Sequence, residues 1–174
     1  MITSSKIRWS WALLNLSIAL LACQENNNSN AAEDIVRADQ GGDFRGVNIG
    51  DERDVVMSME NAETVHSMPD ELIYRVYPNG TDSAWYDITY NFDDQGLYDI
   101  SLDVFPKDSS GMQSLKQNFI NYYKERYGEC KQSNGFCAWR ALTSNGHIVD
   151  IYLTDSLRME GRPRLRVNFN ESQQ

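Results

Sequence analysis

Cysteine, histidine and basic residues are scarce in this chain. Its 174 residues hold 3 Cys and 2 His, and 16 Lys and Arg stand against 25 Asp and Glu. The formal net charge of −9 argues against nucleic acid as a partner and against electrostatic docking of the whole chain on anionic lipid. Metal chemistry is equally poorly served. His66 and His147 are distant in sequence and show no ligand spacing with each other or with the cysteines. The body has no serine in a nucleophile-elbow or Ser-x-x-Lys setting and no glycine-rich loop of the phosphate-cradling kind. Asn91, Asp93, Gln95 and Gly96 loosely imitate the start of a calcium loop, but no glutamate closes it and the segment reads as a hairpin turn. Both histidines read as loop or strand-start residues, and carboxylates such as Asp99 and Asp103 as a solvated row on one sheet face. No catalytic residue, metal site or cofactor is expected.

Long apolar runs are also missing, with one exception. Lys6 and Arg8 precede the stretch from Trp11 to Ala22, interrupted only by Asn15 and Ser17. A bilayer span takes about 20 apolar residues, so residues 1–22 read as a targeting segment and not an anchor. Leu20, Ala22 and Cys23 resemble the lipobox of bacterial lipoprotein signals, although Leu21 is bulkier than that position usually holds. The resemblance implies that Cys23 becomes the mature N-terminus, with a diacylglycerol on its sulfur and a fatty acid such as palmitate on its amine. Two or three acyl chains anchor stably where one does not. An ordinary signal peptide with an incidental cysteine is the alternative. Cleavage would remove two basic residues and no acid, leaving 14 against 25 and a mature net charge of −11. Gln24, in place of an aspartate, leans toward the outer membrane by the same resemblance.

Residues 24–43 are rich in Asn, Asp, Glu and Gln and read as a flexible tether. Residues 44–174 are expected to form a single domain. Asp51 is placed as the N-cap of a short helix with Val55, Val56 and Met59 inward. Three strands follow, at Glu71–Tyr77, from Ala84 to Phe92, and from Tyr98 to Val104. In the second, Tyr86, Ile88, Tyr90 and Phe92 alternate with polar residues; in the third, Tyr98, Ile100, Leu102 and Val104 do so. The spacing of Met112, Leu115, Phe119, Tyr122 and Tyr123 predicts a helix from a capping box at Ser110–Gln113 to Gly128. The last strands are Phe136–Leu142, His147–Thr154 and Arg164–Phe169. The predicted fold class is α+β, with tandem αβββ units forming an antiparallel sheet and helices on one face. That order resembles the β-lactamase inhibitor protein, and a single unit resembles small outer-membrane assembly lipoproteins of the BamE type. The opening Phe44-Arg45-Gly46-Val47-Asn48-Ile49-Gly50-Asp51 carries the sequence part of the resemblance.

Beyond Cys23 remain Cys130 and Cys137, an even pair in an exported chain, which suggests a disulfide; a metal-binding pair is the alternative. Closing such a loop stabilises by roughly 2.5 kcal/mol in the chain-entropy model. The candidate binding surface is Trp85, Arg164 and Arg166 on the polar side of the sheet. Trp85 is either an edge residue lying over its neighbours or an interface anchor. The arginines either pair with Asp99 or Asp103 across strands or receive an anionic group. These features describe a non-enzymatic lipoprotein of the cell envelope, anchored in the membrane through Cys23. Its partner would be another envelope protein, with the module acting as scaffold, assembly factor or inhibitor. A carrier of a small apolar ligand in the periplasm is the alternative, and would need a large cavity between helices and sheet.

Overall fold

The computed structural model describes residues 31–78, 84–133, 135–157 and 161–172. The signal-like segment, Cys23 and the first part of the expected tether lie outside them. The described chain is an α+β protein built on one antiparallel sheet. Helices α1 (Ala31–Val36) and α2 (Arg53–Met59) precede strands β1 (Glu63–Ser67), β2 (Glu71–Val76), β3 (Trp85–Asp93) and β4 (Gly96–Phe105). Helix α3 (Ser109–Tyr127) then leads to β5 (Lys131–Ser133), β6 (Phe136–Leu142), β7 (Ile148–Leu157) and β8 (Pro163–Glu171). The spatial order is β1-β2-β3-β4-β8-β7-β6-β5, so two meanders meet where β4 pairs with β8. Each half therefore has four strands where three were expected. The added ones, β1 and β5, are the two outermost.

Period-two patterning decides which face is buried. Tyr86, Ile88, Tyr90 and Phe92 of β3, Ile100 and Leu102 of β4, and Leu165, Val167 and Phe169 of β8 all point under the helices. Tyr98 breaks the rule. The β3–β4 register shifts between Asn91 and Phe92, so Leu97 takes the core position and Tyr98 is left 41% exposed. The stripe on α3 packs as its spacing predicts, with Met112, Leu115, Phe119, Tyr122 and Tyr123 buried. Its start is two residues earlier than the expected capping box: Asp108 is the N-cap, its Oδ1 accepting from the Gly111 N–H at 2.8 Å. Gly128 closes the helix as expected. In α2 the N-cap is Glu52, because the Asp51 carboxylate turns back to accept from the Asn48 N–H. Val56 is buried there, whereas Val55 points outward.

The boundary of the folded body also moves. Residues 31–36, expected within the tether, form α1, and Ala32, Ile35 and Val36 join the core at positions i, i+3 and i+4. A polar knot holds this segment in place. Arg45, 1% exposed, donates to Glu60 through Nε at 2.6 Å and a second nitrogen at 3.0 Å, and to the Ile35 carbonyl at 2.7 Å. Tyr90 donates its hydroxyl to Glu60 at 2.6 Å, and Arg37 approaches the same carboxylate at 3.6 Å. Four charged or phenolic groups thus satisfy one another under α1.

Burial raises the Tyr86 phenol, and it holds Tyr90 and Tyr123 well above the ordinary value of 10, the nearby Glu60 adding to the effect on Tyr90. A folded value above the unfolded one means stability that is complete below pH 10 and declines as the unfolded chain, but not the folded one, ionises above it. Alkaline titration is therefore expected to release the phenolate absorbance of these three tyrosines only together with loss of the near-ultraviolet circular dichroism. A gradual phenolate signal near pH 10 from all 9 tyrosines of the chain, with the fold intact, would contradict that burial.

Candidate functional site

The sheet face away from the helices is polar and organised in rows across the strands. One row runs Arg75, Asp87, Asp103, Arg166 and Thr154 by strand register. Arg75 grips Asp87 with two contacts at 2.6 and 2.8 Å, and Arg166 grips Asp103 with its Nε at 2.7 Å and a second nitrogen. Arg164 leans on the same Asp103 at 3.6 Å. The next row pairs Thr89 with Ser101 and Asn168, where Asn168 donates to Ser101 at 2.6 Å. The third contains Asn91, Asp99, Asn170 and Asp150, closed by Arg140 on Asp150 at 2.7 Å. Burial raises Asp99 above the usual carboxylate range, opposed by hydrogen bonds from Asn91 and Ser101. Asp150 is held low by the Arg140 guanidinium. The partly buried pairs Arg75–Asp87 and Arg166–Asp103 contribute under about 1 kcal/mol each, so they order the face more than they stabilise it.

The residues singled out in the sequence are therefore brought to one corner but are largely engaged. Arg166 is consumed by cross-strand pairing, and Arg164 shares its carboxylate. Trp85 is half-buried, its ring 5.0 Å from Phe105 and overlain by Arg162 at 4.5 Å. The Trp85 indole N–H and Arg164 Nε are buried and find no hydrogen-bond partner among the described residues. Arg162 and Arg75 lie over the indole from loop and neighbouring strand, a stack no sequence spacing announced.

Cys130 and Cys137 stand at bonding distance with Cα atoms 5.4 Å apart, tying the end of α3 to β6 across the short hairpin made by β5. Lys131–Ser133 is the edge strand of that hairpin. His66 approaches Glu71 at 3.4 Å beside the first hairpin. His147 Nδ1 lies 2.6 Å from Glu171 in an open polar cleft with Asp93, Gln95 and Tyr98. An imidazole oriented by a carboxylate is the arrangement a general base uses. Here, however, the other ring nitrogen packs against Gly50, so closely that a Cβ on that glycine would come within 2.9 Å of Nε2. Among the described residues no group of three His, Cys, Asp or Glu stands together as metal ligands, and no helix is long and apolar enough to cross a membrane.

The outer edge of β1 is the surface the sequence missed. All five of its residues are exposed, and among the described residues no strand pairs with its far side. Val65 is 48% exposed at the point where the β1–β2 register slips by one residue. Arg53 on α2 reaches across to Ser67 Oγ at 2.7 Å and the Met68 carbonyl at 3.3 Å, and also touches Met57 Sδ. Met57 and the Met68 carbonyl thus meet Arg53 at the Ser67 end of the exposed strand, and both methionines are exposed, at 43% and 50%. The opposite edge, β5, has only three residues and is held by the disulfide. Compared with known protein families, curated proteins and solved structures, the chain has no significant match.

Proposed function

We propose that the protein is a lipid-anchored module of the cell envelope that acts without catalysis, by binding another envelope protein. The anchor is supported by the Leu20–Cys23 motif, and the outer membrane by Gln24. One observation carries the binding reading: β1 offers backbone that no described strand pairs, along an exposed edge that carries Val65 and has Met57 and Met68 at its Ser67 end. An extended segment can add to such an edge by main-chain hydrogen bonds while its side chains meet the apolar border. The carrier alternative has less support. Tyr90, Tyr123, Phe44, Phe119 and Phe169 fill the space between helices and sheet, each less than 2% exposed. The depressions found among the described residues, including one of about 490 Å³ by Trp139 and Tyr152, are open clefts. The matching order of helix and four-strand meander in the two halves supports reading them as two versions of one unit.

A photoreactive residue in place of Val65, activated in native membranes, is expected to capture another envelope protein. The pair Val65→Lys with Met68→Lys is expected to abolish that capture while changing stability by no more than about 0.5 kcal/mol, as surface substitutions do. Capture that survives the two lysines would place the contact elsewhere.

A further inference from the structure

One end of the sheet has a composition unlike the rest of this acidic molecule. Ala31, the first described residue, lines a shallow apolar groove of about 280 Å³ with Ile35, Tyr86, Val104, Pro106 and Leu115. Trp85 belongs to the same lining, and its ring is flanked by guanidinium carbons of Arg162 at 4.5 Å and Arg75 at 5.8 Å. Arg75 is claimed by Asp87, and Arg164 has only a share of Asp103. Arg162 is exposed and has no carboxylate partner among the described residues. Of the other carboxylates at this end, Asp34 belongs to the groove lining and Asp108 is already occupied as the N-cap of α3. An open apolar groove, an amphipathic indole and a cation with no carboxylate partner among the described residues match the layering of a membrane surface, where hydrocarbon, tryptophan and lipid phosphate succeed one another.

The point of chain entry says which surface this end meets. Cys23 precedes Ala31 by eight residues, which reach at most about 29 Å when fully extended. We propose that this end docks on the headgroup layer of the membrane to which Cys23 tethers it. Arg162 receives a lipid phosphate, while Trp85 and the groove meet the start of the acyl chains. The inference rests on the lipid-anchor reading. The mature charge of −11 opposes capture from solution. A short tether changes that balance: it raises the effective concentration to the order of millimolar, and salt screens the distant carboxylates beyond roughly 8 Å. A weak local contact is then sufficient.

The test uses the mature full chain in phosphatidylcholine vesicles containing phosphatidylglycerol, with brominated acyl chains as the quencher of indole fluorescence. Trp139, 4% exposed, serves as the internal reference. Trp85 emission is expected to be quenched, the emission left in Trp85→Phe is not, and Arg162→Gln should need roughly fivefold more anionic lipid for equal quenching. Unquenched Trp85 in chains that mass spectrometry shows to be acylated overturns the docking and leaves the anchor standing. An unacylated chain sinks the anchor reading instead. The end surface is then tested alone with dihexanoylphosphatidylglycerol at millimolar concentration. A saturable response that depends on Arg162 sustains the site; no response, or one equal in Arg162→Gln, overturns it. A response to glycerol phosphate as strong as to the lipid overturns the part given to the groove.

Discussion

Glu60→Ala is expected to lower the unfolding free energy by about 3–5 kcal/mol, the range found when one member of a buried ion pair is removed. The reason lies in what stays behind. Arg45 would keep one bond to the Ile35 carbonyl and a long contact of 3.4 Å to the Tyr86 hydroxyl, with its charge under α1 and no counter-ion inside hydrogen-bond distance. Tyr90 would lose its acceptor as well. Arg45→Met should cost a similar amount, because Glu60 would then depend on Tyr90 and the more distant Arg37. The double variant Arg45→Met with Glu60→Leu leaves no orphaned charge, and should be far more stable than the two losses added together. Urea denaturation of all three measures this directly. A Glu60→Ala loss below about 1 kcal/mol, the scale of an exposed pair, would mean that the carboxylate is not committed to Arg45.

Gly96→Ala is expected to be the second severe substitution, at about 2–4 kcal/mol, combining backbone strain with overpacking. Gly96 turns the β3–β4 hairpin at a φ of 113°, which side-chain-bearing residues rarely adopt. An added Cβ would stand 2.5 Å from the Gly50 carbonyl oxygen and 3.0 Å from that of Asp51. Those atoms are backbone, and they are fixed: the Gly50 N–H donates to the Leu97 carbonyl at 2.7 Å and the Leu97 N–H to the Asp51 carbonyl at 2.9 Å. Gly128→Ala is the control, since an added Cβ there meets nothing within 4 Å although its φ is also positive, at 82°. Equal losses in thermal denaturation would show that the conformation alone matters, and not the seat of the 48–51 loop.

The parts of this fold that were legible in the sequence are those whose burial repeats with the period of their own backbone. Helix α3 declares itself because its five buried residues fall on one stripe, and β3 because Tyr86, Ile88, Tyr90 and Phe92 all face one way. Strand β1 has no buried residue, so Glu63-Thr64-Val65-His66-Ser67 gives no alternation to read; only pairing with β2 makes it a strand. Strand β5 is too short to show a period. Helix α1 did carry a signal, at Ala32, Ile35 and Val36, which the surrounding Asn and acidic residues outweighed. The polar knot was invisible for another reason. Arg45 and Glu60 lie 15 residues apart with a helix between them, and charged residues ordinarily imply surface. Trp85 was identified as the unusual residue on the polar side, but the guanidinium lying over it comes from a loop whose path no pattern fixes.

The loop at 48–51 has a consequence for how the molecule comes apart. It is bonded to the hairpin of the first meander through Leu97, and Asn145, in the β6–β7 turn of the second, donates to the Ile49 carbonyl at 2.6 Å. A clasp shared by both hairpins, added to the β4–β8 seam, leaves neither meander free to melt while the other persists. Amide protons in the middle of β3 and of β7 should therefore exchange at one common rate, set by global opening of the whole chain.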